Sequence, residues 1–517
     1  MTATPHPYAL DAKYPRFATI THALRGTAER CPNRTAVISG ERSITYVEYV
    51  RAAAGLAHKL QAMGCAGGRV ALLMGNTLDM AVAIHGAMAA RAMVSPLNPN
   101  YTESEIIPIL KDADPTVIIA DAATLPRVRQ FLHAVPNAKL IHFGDGGLDI
   151  GNWIADPAMR LPEPLPRADE PSCMFFTGGT TGLPKGAPHT HASTMAYCYA
   201  TFALWPLDLD AERFLNVAPL FHVWGFCFST IAPVYVGATM DIVPLFKPAV
   251  VLEEFQKHKI TVFAGGPAAL YHGLRANENY KTTDFSHIKY CMSGGSACPE
   301  ELIVKWQQET GSLFLEGWGM SEGAPINLNP IRGKQKVKST GAAPPDTEVQ
   351  VVDLDTGDRI LPPGEAGEIR VRAPQFIKGY RNRPEENARA FRDGWFYTGD
   401  IGYIDEDGYM FLVDRKKEMI IVGGYNVYPR EIDELLFKHP AIMEAATVGV
   451  PDTFSGDAVK CYVALKPGAK LSADELLDYC KQHLVKYKLP TKIAFVDALP
   501  KTGVGKINKL ELKARGA

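Results

Sequence analysis

The sequence predicts an α/β protein of at least two packed units, and three observations carry that expectation. The chain has 517 residues, more than one ordinary core can organise. Through residue 170 short β-rich runs alternate with helical patterns. Near residue 400 the composition changes, and from Gly408 onward the strands are short and mixed with helices.

The β-rich runs of the first part are Arg69–Met74, Thr116–Asp121 and Lys139–Phe143. Alternation of β and α lays helices on the faces of sheets. One intervening helix opens with Thr102-Glu103-Ser104-Glu105, a capping box with a hydroxyl at the N-cap and a carboxylate three residues on. The most apolar stretch, Met80–Leu97, is interrupted by His85 and Arg91 and reads as a buried helix rather than a membrane span. In the last part Tyr409–Val413, Met419–Val422 and Cys461–Leu465 read as strands, and helices follow Pro429 and Ser472. The second of these helices has its own capping box, Ser472 to Glu475, and places Leu476, Cys480, Leu484 and Tyr487 on one face. The run Asp414-Arg415-Lys416-Lys417-Glu418 reads as a linker or a solvated charged face.

Hydrophobic residues make up 46% and charged residues 21%, the balance of a soluble globular protein. The 54 basic and 56 acidic residues leave a net charge of −2, so no strong field for nucleic acid or an anionic membrane follows. The nine cysteines are odd in number and form no C-x-x-C, which predicts reduced, mostly buried thiols and a cytoplasmic protein. Met1–Phe17 has no apolar core of a signal peptide.

The strongest local signal is Phe176-Thr177-Gly178-Gly179-Thr180-Thr181-Gly182-Leu183-Pro184-Lys185-Gly186, directly after the apolar run Cys173–Phe176. Glycines let the backbone approach a ligand closely. Successive N–H groups with three threonine hydroxyls make a concave donor surface for phosphate oxygens, and Lys185 adds a point charge. The loop is not a Walker A motif, because Pro184 precedes Lys185 and no Ser or Thr follows. The plain alternative is a flexible loop.

This segment resembles the phosphate loop of the adenylate-forming superfamily, which contains acyl-CoA synthetases, peptide-synthetase adenylation domains and beetle luciferases. That family commonly has Ser where this chain has Gly178 or Gly179, so backbone donors are expected to suffice. Further motifs recur in the family's order. Pro219-Leu220-Phe221-His222-Val223-Trp224-Gly225 resembles its acid-pocket motif, and Ser293-Gly294-Gly295-Ser296 its turn beside the adenine. Glu316-Gly317-Trp318-Gly319-Met320-Ser321-Glu322 resembles the motif in which an aromatic stacks on adenine, a hydroxyl meets the phosphate and a carboxylate binds Mg²⁺. Trp318 stands there for the commoner Tyr or Phe, and Ser321 for Thr. Gly394–Asp400 resembles the segment whose Asp accepts the ribose hydroxyls, with Arg415 the second ribose contact. Lys417 falls at the family's hinge, Gly423-Gly424-Tyr425 on its pantetheine tunnel, and Leu499–Ile507 on the loop that carries its catalytic Lys506.

The resemblance spans residues 20 to 510 and leans to fatty-acid–CoA ligases. It implies layered α/β sheets with a β-barrel-like subdomain in an N-terminal domain, 1–415, and a small mobile α+β C-terminal domain, 416–517. It implies ATP, Mg²⁺ and coenzyme A as cofactor and co-substrates, and a carboxylic acid as the small-molecule partner. Catalytic roles fall to Lys506, Glu322, Thr177 and His222, with Mg²⁺ on Glu322. Nucleotide binding falls to Thr177, Gly178, Gly179, Thr180, Thr181, Gly182, Lys185, Gly294, Gly295, Ser296, Glu316, Gly317, Trp318, Gly319, Ser321, Asp400, Arg415 and Lys506. The acid pocket is expected from His222, Trp224, Phe226, Phe228, Gly265, Gly266, Gly294, Trp318 and Gly319. Those residues suit a medium or long aliphatic acid first and an aryl or arylpropenoic acid second. Loading of a carrier protein by a free-standing acyl-AMP ligase is an alternative, and a homodimer is one option for assembly. The rival motif is Gly319-Met320-Ser321-Glu322-Gly323, a formal G-x-S-x-G nucleophile elbow. That elbow needs a helix after the serine, whereas Ala324–Pro330 holds two prolines and no helical period.

Overall fold

The computed structural model describes residues 6–177, 184–295, 298–452, 456–501 and 507–515. Two compact units emerge: Met1–Glu348 with Arg372–Trp395, and Val349–Val371 with Phe396–Ala517. Mixed α/β structure with several sheets is the architecture the sequence predicts.

The larger unit holds two sheets. The first has six strands in the order Lys139–Phe143, Val117–Asp121, Arg69–Leu73, Met93–Pro96, Pro171–Thr177, Lys185–Thr190. All neighbours are parallel except the last pair, which is antiparallel. The three β-rich runs of the sequence are strands of this sheet. The helix Glu103–Ala113 opens as its capping box predicts, with the Thr102 N–H and Oγ1 both donating to Glu105 Oε2 at 2.7 and 2.8 Å. The apolar stretch Met80–Leu97 divides in two. Helix Leu78–Ala89 buries every residue but Asp79, and then Arg91, at φ +61°, turns the chain into the strand Met93–Pro96. A left-handed residue cannot continue a right-handed helix, which is why the helix stops short of Leu97. No described helix is long and apolar enough to cross a membrane.

The second sheet has eight strands: Gly323–Leu328, Leu313–Met320, Tyr290–Ser293, Val262–Ala264, Arg213–Asn216, Thr239–Ile242, Thr35–Ser39 and Arg42–Thr45. The inner pairs are parallel and the two outer pairs antiparallel. Open parallel sheets gather ligands beyond the C-terminal ends of their strands, where the strand order reverses. Here the reversal lies between Arg213–Asn216 and Val262–Ala264, and in the first sheet between Arg69–Leu73 and Val117–Asp121.

In the smaller unit, Gly367–Arg372, Trp395–Ile404 and Met410–Arg415 form an antiparallel sheet that also takes in Glu348–Val352. Its order is open among the described residues, where the resemblance implies a barrel-like subdomain. A second sheet contains Tyr425–Val427, Ile420–Val422, Gly456–Leu465, Ile442–Asp452 and Lys492–Phe495. Side chains alternate across its long strand with period two. Val459, Cys461 and Val463 face a cluster with Ile432, Leu436, Leu476 and Cys480 from helices Pro429–Phe437 and Ala473–Lys481. Ala458 and Tyr462 face Leu512 of the helix Lys509–Ala514. Leu484 and Tyr487 pack on the first cluster, but from beyond the end of the helix at Lys481.

The charged run at 414–418 is only partly a solvated face: Arg415 and Lys417 are exposed, while Asp414 and Lys416 are tied down. Asp414 is buried and accepts the N–H groups of Arg415 and Arg430 at 2.7 and 2.8 Å. Lys416 pairs with Glu368 at 2.8 Å. All nine cysteines are unpaired and eight are buried, as their spacing predicts. Burial pushes the Cys298 thiol up to about 12, so it stays protonated.

Candidate active site

The predicted residues of the larger unit collect at the strand ends that the topology singles out. His222 lies six residues beyond the strand ending at Asn216, and Gly265-Gly266 follow the strand ending at Ala264. Gly294-Gly295 follow the strand ending at Ser293, and Trp318 sits near the end of Leu313–Met320.

Gly265 and Gly294 are required by neighbours rather than by flexibility, whereas Gly266 and Gly295 have positive φ. A Cβ on Gly294 would stand 2.5 Å from the Trp224 ring, and one on Gly265 would stand 2.5 Å from the Tyr271 hydroxyl. Trp224 also packs on Phe228 with ring centroids 4.6 Å apart, and its Nε1–H points to the Ala264 carbonyl at 3.4 Å. Trp224, Phe228 and Gly294 are therefore one packed group, with the Ala264 carbonyl beside it. Phe226 is fully buried against Phe175, on the core side of that group. His222 caps the short helix Val223–Phe226, its Nδ1 accepting the Trp224 N–H at 3.2 Å. That bond makes Nδ1 the unprotonated nitrogen and leaves the proton on Nε2.

The loop before His222 is held from the other sheet. Asn76, at the reversal point of the six-stranded sheet, donates to the Ala218 carbonyl at 3.0 Å and accepts the Leu220 N–H at 2.8 Å. Sequence reasoning missed Asn76, because nothing in its neighbourhood announces a contact 142 residues away.

Thr177 and Lys185 face each other across the antiparallel pair Pro171–Thr177 and Lys185–Thr190. Gly178, Gly179, Thr180, Thr181 and Gly182 of the loop between them lie outside the described residues, as do Ser296 and Lys506. The pairing fixes both ends of the predicted phosphate loop at the mouth of one hairpin.

The Glu316–Glu322 motif forms the strand Leu313–Met320 and its turn. Met320 pairs with Gly323, so Ser321 and Glu322 are the two-residue tip of a hairpin, and a strand rather than a helix follows. A nucleophile elbow is thereby excluded. Gly317 and Gly319 leave no room for a side chain: added Cβ atoms would come within 2.7 Å of Leu328 and of Ala324. Trp318 is half-buried and pairs across the hairpin with Asn327.

The tip is tied down from two sides. His189 Nε2–H donates to the Ser321 carbonyl at 2.8 Å, and the Ile377 N–H donates to the Glu322 carbonyl at 2.8 Å. Burial lowers the pKa of His189, so a neutral ring makes that bond. The Glu322 carboxylate is buried, and its Oε1 accepts the Tyr380 O–H at 2.7 Å. Tyr380 itself is pushed well up, by burial first and then by the charge of Glu322. Lys185 Nζ lies 5.1 Å from the centre of the Tyr380 ring. A single buried carboxylate beside hydroxyl and carbonyl oxygens is a hard donor set, of the kind that holds Mg²⁺ together with substrate phosphates. The residues present therefore fit that ion.

In the smaller unit Asp400 and Arg415 are direct partners in the antiparallel register, with Arg415 Nε 3.6 Å from Asp400 Oδ1. Asp400 is mostly buried and Arg415 half-exposed. Lys417 is exposed. Gly423 and Gly424, at φ +56° and +85°, form the two-residue turn between Ile420–Val422 and Tyr425–Val427. Positive φ at both positions is what the favoured short hairpin turn demands, so the glycine pair has a local reason as well as the one the resemblance implies. Tyr425 is exposed and stacks on Tyr487 at 4.6 Å.

Comparison with known proteins follows the same lines. Residues 24–381 match the family described as AMP-binding enzyme, and residues 431–506 match the AMP-binding enzyme C-terminal domain. The chain is 36% identical to a long-chain-fatty-acid–CoA ligase of Bacillus subtilis strain 168, over 98% of this chain and 95% of that protein. It is 34% identical to a feruloyl-CoA synthase of an Amycolatopsis species, over 94% of this chain and 97% of that protein. ATP-bound MatB from Rhodopseudomonas palustris superposes with a TM-score of 0.88 at 28% identity, covering 97% of this chain and 99% of the other. Anthranilate CoA ligase AuaEII in complex with anthranoyl-AMP gives 0.87 at 27% identity, covering 97% and 98%.

Proposed function

The chain belongs to the adenylate-forming AMP-binding enzyme family as an acid–thiol ligase, and from that premise we propose that it joins a medium- or long-chain aliphatic acid to coenzyme A. A carboxylate oxygen of the acid attacks the α-phosphorus of ATP. A phosphorus–oxygen bond forms, the bond to pyrophosphate breaks, and acyl-AMP results. The thiolate of coenzyme A then attacks the acyl carbon, and AMP leaves with the oxygen it gained.

The chain's own groups divide that work. Thr177, the loop after it and Lys185 take the phosphates, with Ser321 at the α-phosphate. Glu322 would hold Mg²⁺, which when bound offsets the charge on the triphosphate. Trp318 offers adenine a π-face, and Asp400 with Arg415 takes the ribose hydroxyls. Lys506 bridges the carboxylate and the α-phosphate during attack, and preorganised cations of this kind are usually the largest catalytic contribution. In the second step the domain 416–517 turns about Lys417 relative to 1–415, removes Lys506 and brings Gly423-Gly424-Tyr425 to coenzyme A. His222 closes the acid pocket on the phosphate side.

The observation that carries the reading is the convergence of Lys185, Tyr380 and Glu322 at one hairpin tip, together with the packing of Trp224 on Gly294 at the strand ends. The named members of the predicted acid pocket are apolar rings, glycines and one histidine, which suits an aliphatic chain. An arylpropenoic acid is the second reading, favoured by the identity to a feruloyl-CoA synthase. Pyrophosphate release measured across aliphatic and aryl acids, with and without coenzyme A, separates the readings. Release before coenzyme A is added is expected. ADP and phosphate instead would overturn adenylation, and acyl-AMP that coenzyme A never consumes would favour transfer to a carrier protein.

A further inference from the structure

The Ser321–Glu322 tip leans on an aromatic side chain that no sequence motif marks. Tyr380 lies 58 residues beyond Glu322, yet its hydroxyl donates to Glu322 Oε1 at 2.7 Å. The scaffold sets Tyr380 independently of the tip. Its N–H donates to Asn387 Oδ1 at 2.7 Å, and Asn387 Nδ2 donates back to its carbonyl at 2.9 Å. The next residue, Arg381, donates its N–H to the Gly186 carbonyl at 2.9 Å, which fastens this segment to the strand that begins with Lys185. Phe391 meets the ring edge-on at 6.1 Å. Alongside, Phe376 fills the space where a side chain on Gly323 would stand, 2.3 Å from its ring.

We propose that Tyr380 is a positioning residue for both charged groups of the tip: its hydroxyl aims the Glu322 carboxylate and its ring face seats the Lys185 ammonium. The inference rests on the reading of Glu322 as the Mg²⁺-holding group. A carboxylate has two oxygens, and a neutral donor on one of them turns the other in a set direction without cancelling the charge. A lysine or arginine in that place would cancel it. The ring does the complementary task for Lys185, attracting the cation through its π-face. Each charged group thus has an uncharged partner in Tyr380.

The test uses the full-length enzyme with Tyr380→Phe, Tyr380→Leu, Glu322→Gln and the double variant Tyr380→Phe/Glu322→Gln. Mn²⁺ binding in the presence of ATP is read by water-proton relaxation, and the KM for ATP is read at saturating Mg²⁺. Melting temperatures identify any variant that fails to fold. Tyr380→Phe is expected to weaken Mn²⁺ binding about tenfold, the scale on which groups that orient metal ligands act, while the KM for ATP barely moves. Tyr380→Leu, which removes the ring as well, is expected to raise the KM for ATP too. Adding Tyr380→Phe to Glu322→Gln is expected to change Mn²⁺ binding no further. Wild-type Mn²⁺ affinity in Tyr380→Phe, or an undiminished effect in the Glu322→Gln background, would overturn the positioning role while leaving Glu322 as the metal group. Unchanged Mn²⁺ affinity in Glu322→Gln alone would instead overturn the reading on which the proposal rests.

Discussion

Two hairpin tips in this protein share a length and little else. Ser321-Glu322 and Gly423-Gly424 are each the two residues between a pair of antiparallel strands. The first is held by its surroundings: His189, Ile377 and Tyr380 bond to it, and Glu322 is only 8% exposed. The second is held by its own backbone. Both glycines have positive φ, nothing among the described residues stands within 4 Å of where their Cβ atoms would be, and the following Tyr425 is 59% exposed. A tip that must present a charge at one place needs outside bonds, because small displacements erode preorganised electrostatics. A tip that presents an open surface to a ligand needs only to keep its shape. On the proposed function these are the tasks of adenylation and of thiol delivery.

If the smaller unit is loose only at its tip, breaking its interior should have the largest effect. Lys509 Nζ reaches Asp433 Oδ2 at 2.8 Å, and burial pushes the Asp433 carboxyl up despite that partner. Lys509→Met leaves a buried carboxylate without its cation and is expected to cost about 3–5 kcal/mol. Denaturant titration followed by probes in each unit checks this. A small loss there would mean that the unit's core is as tolerant as its tip.

The next effect sharpens the division of labour. Glu322→Gln is expected to slow pyrophosphate release on the order of a hundredfold, the size of a lost preorganised charge contact. Tyr425→Ala is expected to leave that step near its normal rate and to slow thioester formation from supplied acyl-AMP. Rapid-quench measurement of each half-reaction decides, and equal losses in both variants would erase the contrast.

A smaller effect addresses why the second tip has glycines. Gly424→Ala puts a side chain at φ +85°, which costs roughly 1–2 kcal/mol of backbone strain. Hydrogen exchange at Val422 and Tyr425 should quicken while exchange across Gly456–Leu465 stays slow. Unaltered exchange at the hairpin would show that contacts, and not its backbone, hold this tip.

The smallest effect lies far from both tips, on the larger unit. His258 Nδ1 is 2.6 Å from Asp241 and 2.9 Å from Glu254, with Lys257 beside them. The Asp241 hydrogen bond raises the His258 pKa above 6.5, and burial followed by the Asp241 charge raises that of Glu254 above 4.5. Both groups bind protons more tightly when folded. The His258 contribution is therefore complete below about pH 6.5 and is lost as pH rises through its folded value. The melting temperature should fall modestly from pH 6 to pH 8, and Asp241→Asn should flatten that slope. A slope unchanged by the substitution would assign the pH dependence elsewhere.

Much of the candidate site was legible before the structure. Thr177 and Lys185, the Glu316–Glu322 segment, Asp400 and Arg415 were singled out by residue type and order; Thr177 and Arg415 end strands, Lys185 begins one, Ser321 and Glu322 form a turn, and Asp400 lies within a strand. The elements with capping boxes, such as Glu103–Ala113 and Ala473–Lys481, open where the pattern placed them, although the second ends before Leu484 and Tyr487. The run at 414–418 was legible only in part, because composition cannot distinguish the exposed Lys417 from the buried Asp414. Asn76, His189 and Tyr380 were invisible for a related reason. Each acts on a partner from 58 to 144 residues away, and no local period records such a contact.

By itself, then, the sequence determined the order of motifs and the α/β class, and it marked the candidate phosphate loop and the carboxylate suited to a metal. Short-range rules suffice for these, because spacing, turn residues and capping act within a few positions of one another. Only the tertiary structure decided how that chemistry is held. It brought the ends of parallel strands to one place, set Trp224 against Gly294, and joined Tyr380 to Glu322 and Lys185. Such contacts follow from sheet order and packing, which are properties of the whole chain, and a hydrogen bond between distant residues exists only once both have been placed.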